Sequence, residues 1–193
     1  MKTPLLLAFL LLGNRLLAQQ VVVFGETDFY VLDSGSVPNG PTDPARSAFF
    51  DAYKADLARH APYEGAMDLV SPPAWGRTVG PDTRGRIKYR MSFPGGFDCE
   101  LTLERLLPNH EYILTLNGNP SKAGNDLLPK PVTPGSPEKY YDFLIVKTDA
   151  NGCYDAKLGI FLKPGDYDVR CYVKDTADFK IVLYRDFFTF QVR

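Results

Sequence analysis

Histidine appears twice, tryptophan once and cysteine three times in the 193-residue chain, and neither sign of charge is in excess, with 22 Lys and Arg against 23 Asp and Glu. Each scarcity excludes a class of function. The two histidines, His60 and His110, have no sequence partner that would build a metal cluster or a Ser-His-Asp set, so no catalytic residue is assigned. Balanced charge excludes a strongly basic nucleic-acid binder, and no nucleic acid is expected as a partner. Aromatic residues at 13% exclude a disordered tail protein. No glycine-rich loop precedes a helix in the pattern that cradles phosphate, and Gly95-Gly96 reads as a turn between strands. No cofactor is expected.

Long apolar runs are missing too, except at the start. Lys2 precedes the unbroken run Leu5 to Leu12, and Leu16-Leu17-Ala18 puts a small residue at a cleavage point, which predicts a signal peptide over residues 1–18. The run, bounded by Asn14 and Arg15, is far short of the roughly 20 residues that span a bilayer. No cysteine follows it to carry a lipid anchor, and no transmembrane segment is expected in the mature chain. The protein is therefore expected to be secreted or periplasmic.

Glycine and proline supply 16 residues each, many between alternating apolar runs, and this predicts a mainly β fold. Within residues 19–85, Val21 to Phe24 and Phe29 to Leu32 read as short strands. Asp43 then caps an amphipathic helix over about 43–60, with Pro44 at its first position and Phe49, Phe50, Tyr53 and Leu57 at helical spacing. Charged residues on its other side predict that the apolar stripe docks on a sheet. Within residues 86–193 the period is two. Ile87 to Phe93, Cys99 to Leu103, Tyr112 to Leu116, Phe143 to Thr148, Tyr154 to Leu162, Tyr167 to Val173, Phe179 to Tyr184 and Phe187 to Val192 are the expected strands. Their spacing predicts an antiparallel β-sandwich, with the proline-rich insert from Asn117 to Glu138 as a surface loop.

An oxidising compartment lets a disulfide persist, and three cysteines leave at least one unpaired within the chain. Cys99 shares strand parity with Leu101 and Leu103, and Cys171 with Val169 and Val173, so both are expected to point inward and to form the bridge. Pairing of Cys153 with either, or three free thiols, are the alternatives.

Two segments carry a resemblance. Leu106-Leu107-Pro108-Asn109-His110-Glu111-Tyr112 followed by Ile113-Leu114-Thr115-Leu116 resembles the tyrosine-corner segment of immunoglobulin-like domains. Thr148-Asp149-Ala150-Asn151-Gly152 with Leu162-Lys163-Pro164-Gly165-Asp166-Tyr167-Asp168-Val169 resembles the hairpin core of transthyretin-like, carboxypeptidase-regulatory-like sandwich domains. The resemblance covers roughly Leu106 to Val173 and implies an immunoglobulin-like architecture, with the Tyr112 hydroxyl tying a corner to backbone; it implies no activity.

Three groups of residues remain as candidates for contact with a partner. Arg84, Arg86, Lys88 and Arg90 alternate along one run and read as a cationic stripe suited to carboxylate or phosphate. Tyr172, Tyr184 and Phe187 have outward parity, while Trp75, Tyr140 and Tyr141 lie in or beside loops; exposed rings of this kind stack on sugars or anchor interfaces. Asp149, Asn151 and Asp155 form a partial oxygen array for calcium, although a tight turn accounts for the same residues. The reading that unites these features is a secreted, non-enzymatic binding module for a glycan or a cell-envelope protein. Its alternatives are an extracellular polysaccharide or ester hydrolase and a structural domain of a surface assembly.

Overall fold

The computed structural model describes residues 20–23, 48, 51–52, 55, 62–118, 139–162 and 164–193. The expected signal peptide, the strand over 29–32, nearly all of the helix over about 43–60 and most of the 117–138 insert lie outside the described residues. Ten strands are described: β1 Gln20–Val23, β2 Gly65–Leu69, β3 Arg84–Tyr89, β4 Ser92–Phe93, β5 Gly96–Glu104, β6 Glu111–Gly118, β7 Lys139–Lys147, β8 Tyr154–Phe161, β9 Gly165–Asp175 and β10 Ile181–Val192. The protein is mainly β and has two five-stranded sheets, ordered β1-β8-β5-β3-β2 and β4-β10-β9-β6-β7.

Period-two alternation puts one set of side chains from each sheet into a single core. Met67 and Leu69, Ile87 and Tyr89, Phe97 to Leu103 and Tyr154 to Ile160 come from the first sheet. Tyr112, Leu114 and Leu116, Tyr167 to Val173, and Phe188 and Phe190 come from the second. Aromatic rings lock the two together: Phe97 lies 4.3 Å from Phe190 and 6.0 Å from Phe188, and Tyr89 lies 5.3 Å from Phe188, while within the second sheet Tyr167 stacks on Phe190 at 5.0 Å. Each such pair adds about 0.5–1.5 kcal/mol beyond the area it buries.

The chain crosses between sheets twice along this side. After β2, Val70 leaves the first sheet and exchanges two 2.9 Å backbone hydrogen bonds with Tyr184 of β10. The run expected as one strand over Ile87 to Phe93 splits for the same reason: Arg90 N still bonds Asp98 O in the first sheet, whereas the Met91 carbonyl accepts from Gln191 N in the second. The last two expected strands are one strand, β10, interrupted by a bulge between Arg185 and Phe188. A bulge absorbs Arg185-Asp186, the residues between the two expected strands, without ending the ladder. Pairing is also mixed where an antiparallel arrangement was expected, because β1 runs parallel to β8 and β4 parallel to β10. The long chain segments separating these partners make a parallel match feasible.

Turn chemistry closes the ends. The Tyr112 hydroxyl accepts from Leu107 N at 3.0 Å, five residues back. Gly152 sits at φ 72°, and a Cβ there would stand 2.0 Å from the Leu106 carbonyl oxygen. Gly152→Ala therefore meets both the left-handed penalty and a backbone clash. Its expected cost is at least about 2 kcal/mol, read as a drop in urea-denaturation stability with unchanged m-value.

Candidate functional site

Trp75 lies on the segment that follows the Val70 crossover. Arg77 N donates to the Ile181 carbonyl at 2.9 Å, so both ends of this short segment are stapled to β10. Gly76 runs so close to its neighbours that a Cβ would stand 2.2 Å from Pro72 Cγ and 2.7 Å from the Ile181 oxygen. The neighbouring Trp75 indole is 55% exposed. It meets Tyr184 edge-on at 4.9 Å and Tyr172 at 6.4 Å, side chains that register places opposite each other on β10 and β9. Phe187, in the β10 bulge, is 36% exposed. The Arg170 guanidinium lies 4.1 Å over its ring and bonds Asp186 at 3.2 Å.

The structure thus gathers Trp75, Tyr172 and Tyr184 into one cluster, with Phe187 three residues further along β10. Tyr172 has the expected outward parity yet is only 7% exposed, so it supports the cluster from beneath. The outward residues Ile113, Thr115 and Asn117 of β6 are buried too. Exposure on this sheet therefore rises from β6 towards β10. Tyr140 and Tyr141, expected beside a loop, fall within β7.

The basic residues belong to the other sheet and do not join this cluster. Register puts Arg84 opposite Glu104, Arg86 beside Asp68, and Lys88 opposite Glu100. All three are ion-paired, Arg86 with Asp68 at 3.2 Å and Lys88 with Glu100 at 2.9 Å. Arg90 is not on the exposed face: its side chain is largely buried, 3.0 Å from the buried Asp98 and over the Phe93 ring. The expected cationic stripe is corrected to a charge-balanced ladder, because each base faces an acid from a neighbouring strand. Exposed pairs of this kind contribute about 0–1 kcal/mol each.

The calcium array is likewise taken up by the turn. Asp149 Oδ1 accepts from Asn151 N and Cys153 N, both at 2.8 Å, and Asp155 lies on β8 opposite Thr102. Among the described residues no group of three or more His, Cys, Asp or Glu side chains is placed to hold a metal ion. His110, for which the sequence offered no partner, is bonded through Nε2 to Asp175 Oδ1 at 3.0 Å. Asp175, almost wholly buried, also accepts from Ala177 N at 2.8 Å and from the Arg77 guanidinium. Sequence spacing hid this node, since β6 brings His110 to Asp175 across 65 residues.

Cys99 and Cys171 are buried as their parity required, on β5 and β9, but they are free thiols, so the expected bridge is not present; Cys153 is free and partly exposed. Burial raises the pKa of both core thiols, and the neighbouring Asp98 carboxylate adds to the effect at Cys99. Comparison with protein-family models, curated proteins and solved structures found no match.

Only the thiolate attacks disulfide reagents, so a raised pKa and burial silence a thiol. Titration with an aromatic disulfide reagent at pH 8 is expected to modify one thiol, Cys153, in the native protein and all three after unfolding in guanidinium. Rapid native modification of Cys99 or Cys171 would contradict this packing.

Proposed function

We propose that the chain is a secreted, non-enzymatic β-sandwich module of immunoglobulin-like type that binds a neutral glycan on the Trp75 cluster. The observation that carries the reading is the indole itself. A large aromatic ring left in water forgoes roughly 1.5–3 kcal/mol of burial, yet Trp75 is stapled at both flanks and buttressed by two tyrosines in that position. Preorganised rings with polar groups between them suit the apolar face and hydroxyl rim of a pyranose. The Arg170–Asp186 pair beside Phe187 offers donors and an acceptor without net charge. An acidic glycan would have called for uncompensated bases, and the bases of β3 are spent on acids.

The sandwich reading is supported by one core shared between two sheets and by the tie from Leu107 N to the Tyr112 hydroxyl. The secreted reading rests on the N-terminal sequence, and β1 begins two residues after Ala18. The mature protein recovered from outside the cytoplasm is expected to start at Gln19; protein that retains Met1 there would contradict it.

A glycan array followed by calorimetric titration tests the ligand class. Trp75→Ala is expected to weaken binding at least about tenfold, a loss of about 1.4 kcal/mol, while Tm changes by no more than a few degrees because the ring is half in solvent. An array without hits, with retention of a cell-envelope protein that survives glycosidase treatment, would replace the glycan with a protein partner.

A further inference from the structure

Phe179 carries two costs at once. Its backbone lies in the left-handed region, φ 58°, where a bulky side chain is strained. Its ring is 62% exposed, more than Trp75, and among the described residues it has no ring contact. The surrounding turn holds it there: Phe179 N donates to Asp175 O at 2.8 Å, Asp175 N to Lys180 O at 2.9 Å, and Lys180 N to Asp178 Oδ1 at 3.0 Å.

Arg77 joins this turn to the Trp75 segment. Its guanidinium reaches both Asp175 and Asp178, the latter at 3.2 Å. Trp75 stands two residues before Arg77, and Phe179 directly follows Asp178. One guanidinium therefore cross-links the two turns that carry the most exposed aromatic rings of the described chain, both at the start of β10. The charges between them are matched, since Lys180 also lies 3.9 Å from Asp178. An uncharged ligand rich in hydroxyls fits such a surface better than an anion does.

We propose that Phe179 is a second contact residue of the recognition surface, that the ligand is an oligosaccharide spanning Phe179 and Trp75, and that Arg77 is the positioning residue that fixes their spacing. The proposal rests on the glycan reading of Trp75. Strain kept at a solvent-facing ring is the signature of a residue retained for contact, because stability alone would favour glycine or asparagine at that φ.

The test uses the full chain with Phe179→Gly, Phe179→Asn, Trp75→Ala and Arg77→Ala. The probes are linear hexasaccharides of glucose, mannose, galactose and N-acetylglucosamine, with the matching monosaccharides. Both Phe179 variants are expected to keep or raise Tm and to lose at least tenfold in hexasaccharide affinity, with monosaccharide affinity unchanged; Trp75→Ala loses both. Arg77→Ala is expected to weaken hexasaccharide binding and to lower the fluorescence anisotropy of Trp75, the sole tryptophan, in the free protein. Phe179 variants that bind hexasaccharides as the parent does, while Trp75→Ala does not, overturn this proposal and leave the glycan reading standing. A fall in Tm in both Phe179 variants assigns Phe179 a structural role and overturns it as well. Unchanged Trp75 anisotropy overturns the positioning role of Arg77. A parent protein that binds none of the probes overturns the glycan reading and this proposal together.

Discussion

Both sheets contribute one set of side chains to a single apolar core, and the fold rests on that burial. Because side chains alternate across a strand, that requirement decides which residues enter the shared core, although β6 buries its other face as well. Phe97, Phe188 and Phe190 meet in the interior from both sheets, and Cys99 and Cys171 occupy it as small buried thiols. The same alternation sends Arg84, Arg86 and Lys88 outward, where the pairing of β3 with β2 and β5 supplies Asp68, Glu104 and Glu100. Charge balance on that face is thus a by-product of strand register.

The aromatic cluster follows from the way the first sheet meets β10. Val70 crosses to pair with Tyr184, Arg77 returns to Ile181, and the close approach of Gly76 to Pro72 and the Ile181 carbonyl leaves no room for a side chain at position 76. Between these two ties Trp75 lies against Tyr184, half exposed. Asp175 then binds two separate pieces of chain through Arg77 and His110 and closes its own turn through Ala177, which ties these segments together where β10 begins.

Much of this was legible in the residues. The alternation from Ile87 to Val192 marked the strands, their inward sets and the parity of Tyr172, Tyr184 and the two core cysteines. β2 was not legible, since Gly65-Ala66-Met67-Asp68-Leu69 has weak strand propensity and gains its place from pairing with β3. The Arg185-Asp186 break and the Ile87-to-Phe93 strand were misread because a bulge and a change of sheet are tertiary events with no local signal. The neutralised bases failed for a related reason: their acids lie 12 to 20 residues away and become neighbours only through register. Phe179 escaped because it headed an apolar run, whereas it sits at a left-handed position in the turn from Asp175 to Lys180.

With one tryptophan in the chain, fluorescence reports on the site without any label. The most direct measurement is Trp75 emission and its quenching by acrylamide as neutral hexasaccharides are added. The account predicts a saturable blue shift with protection from the quencher. Emission and quenching that stay the same across the series would contradict the claim that this indole is held open for a glycan.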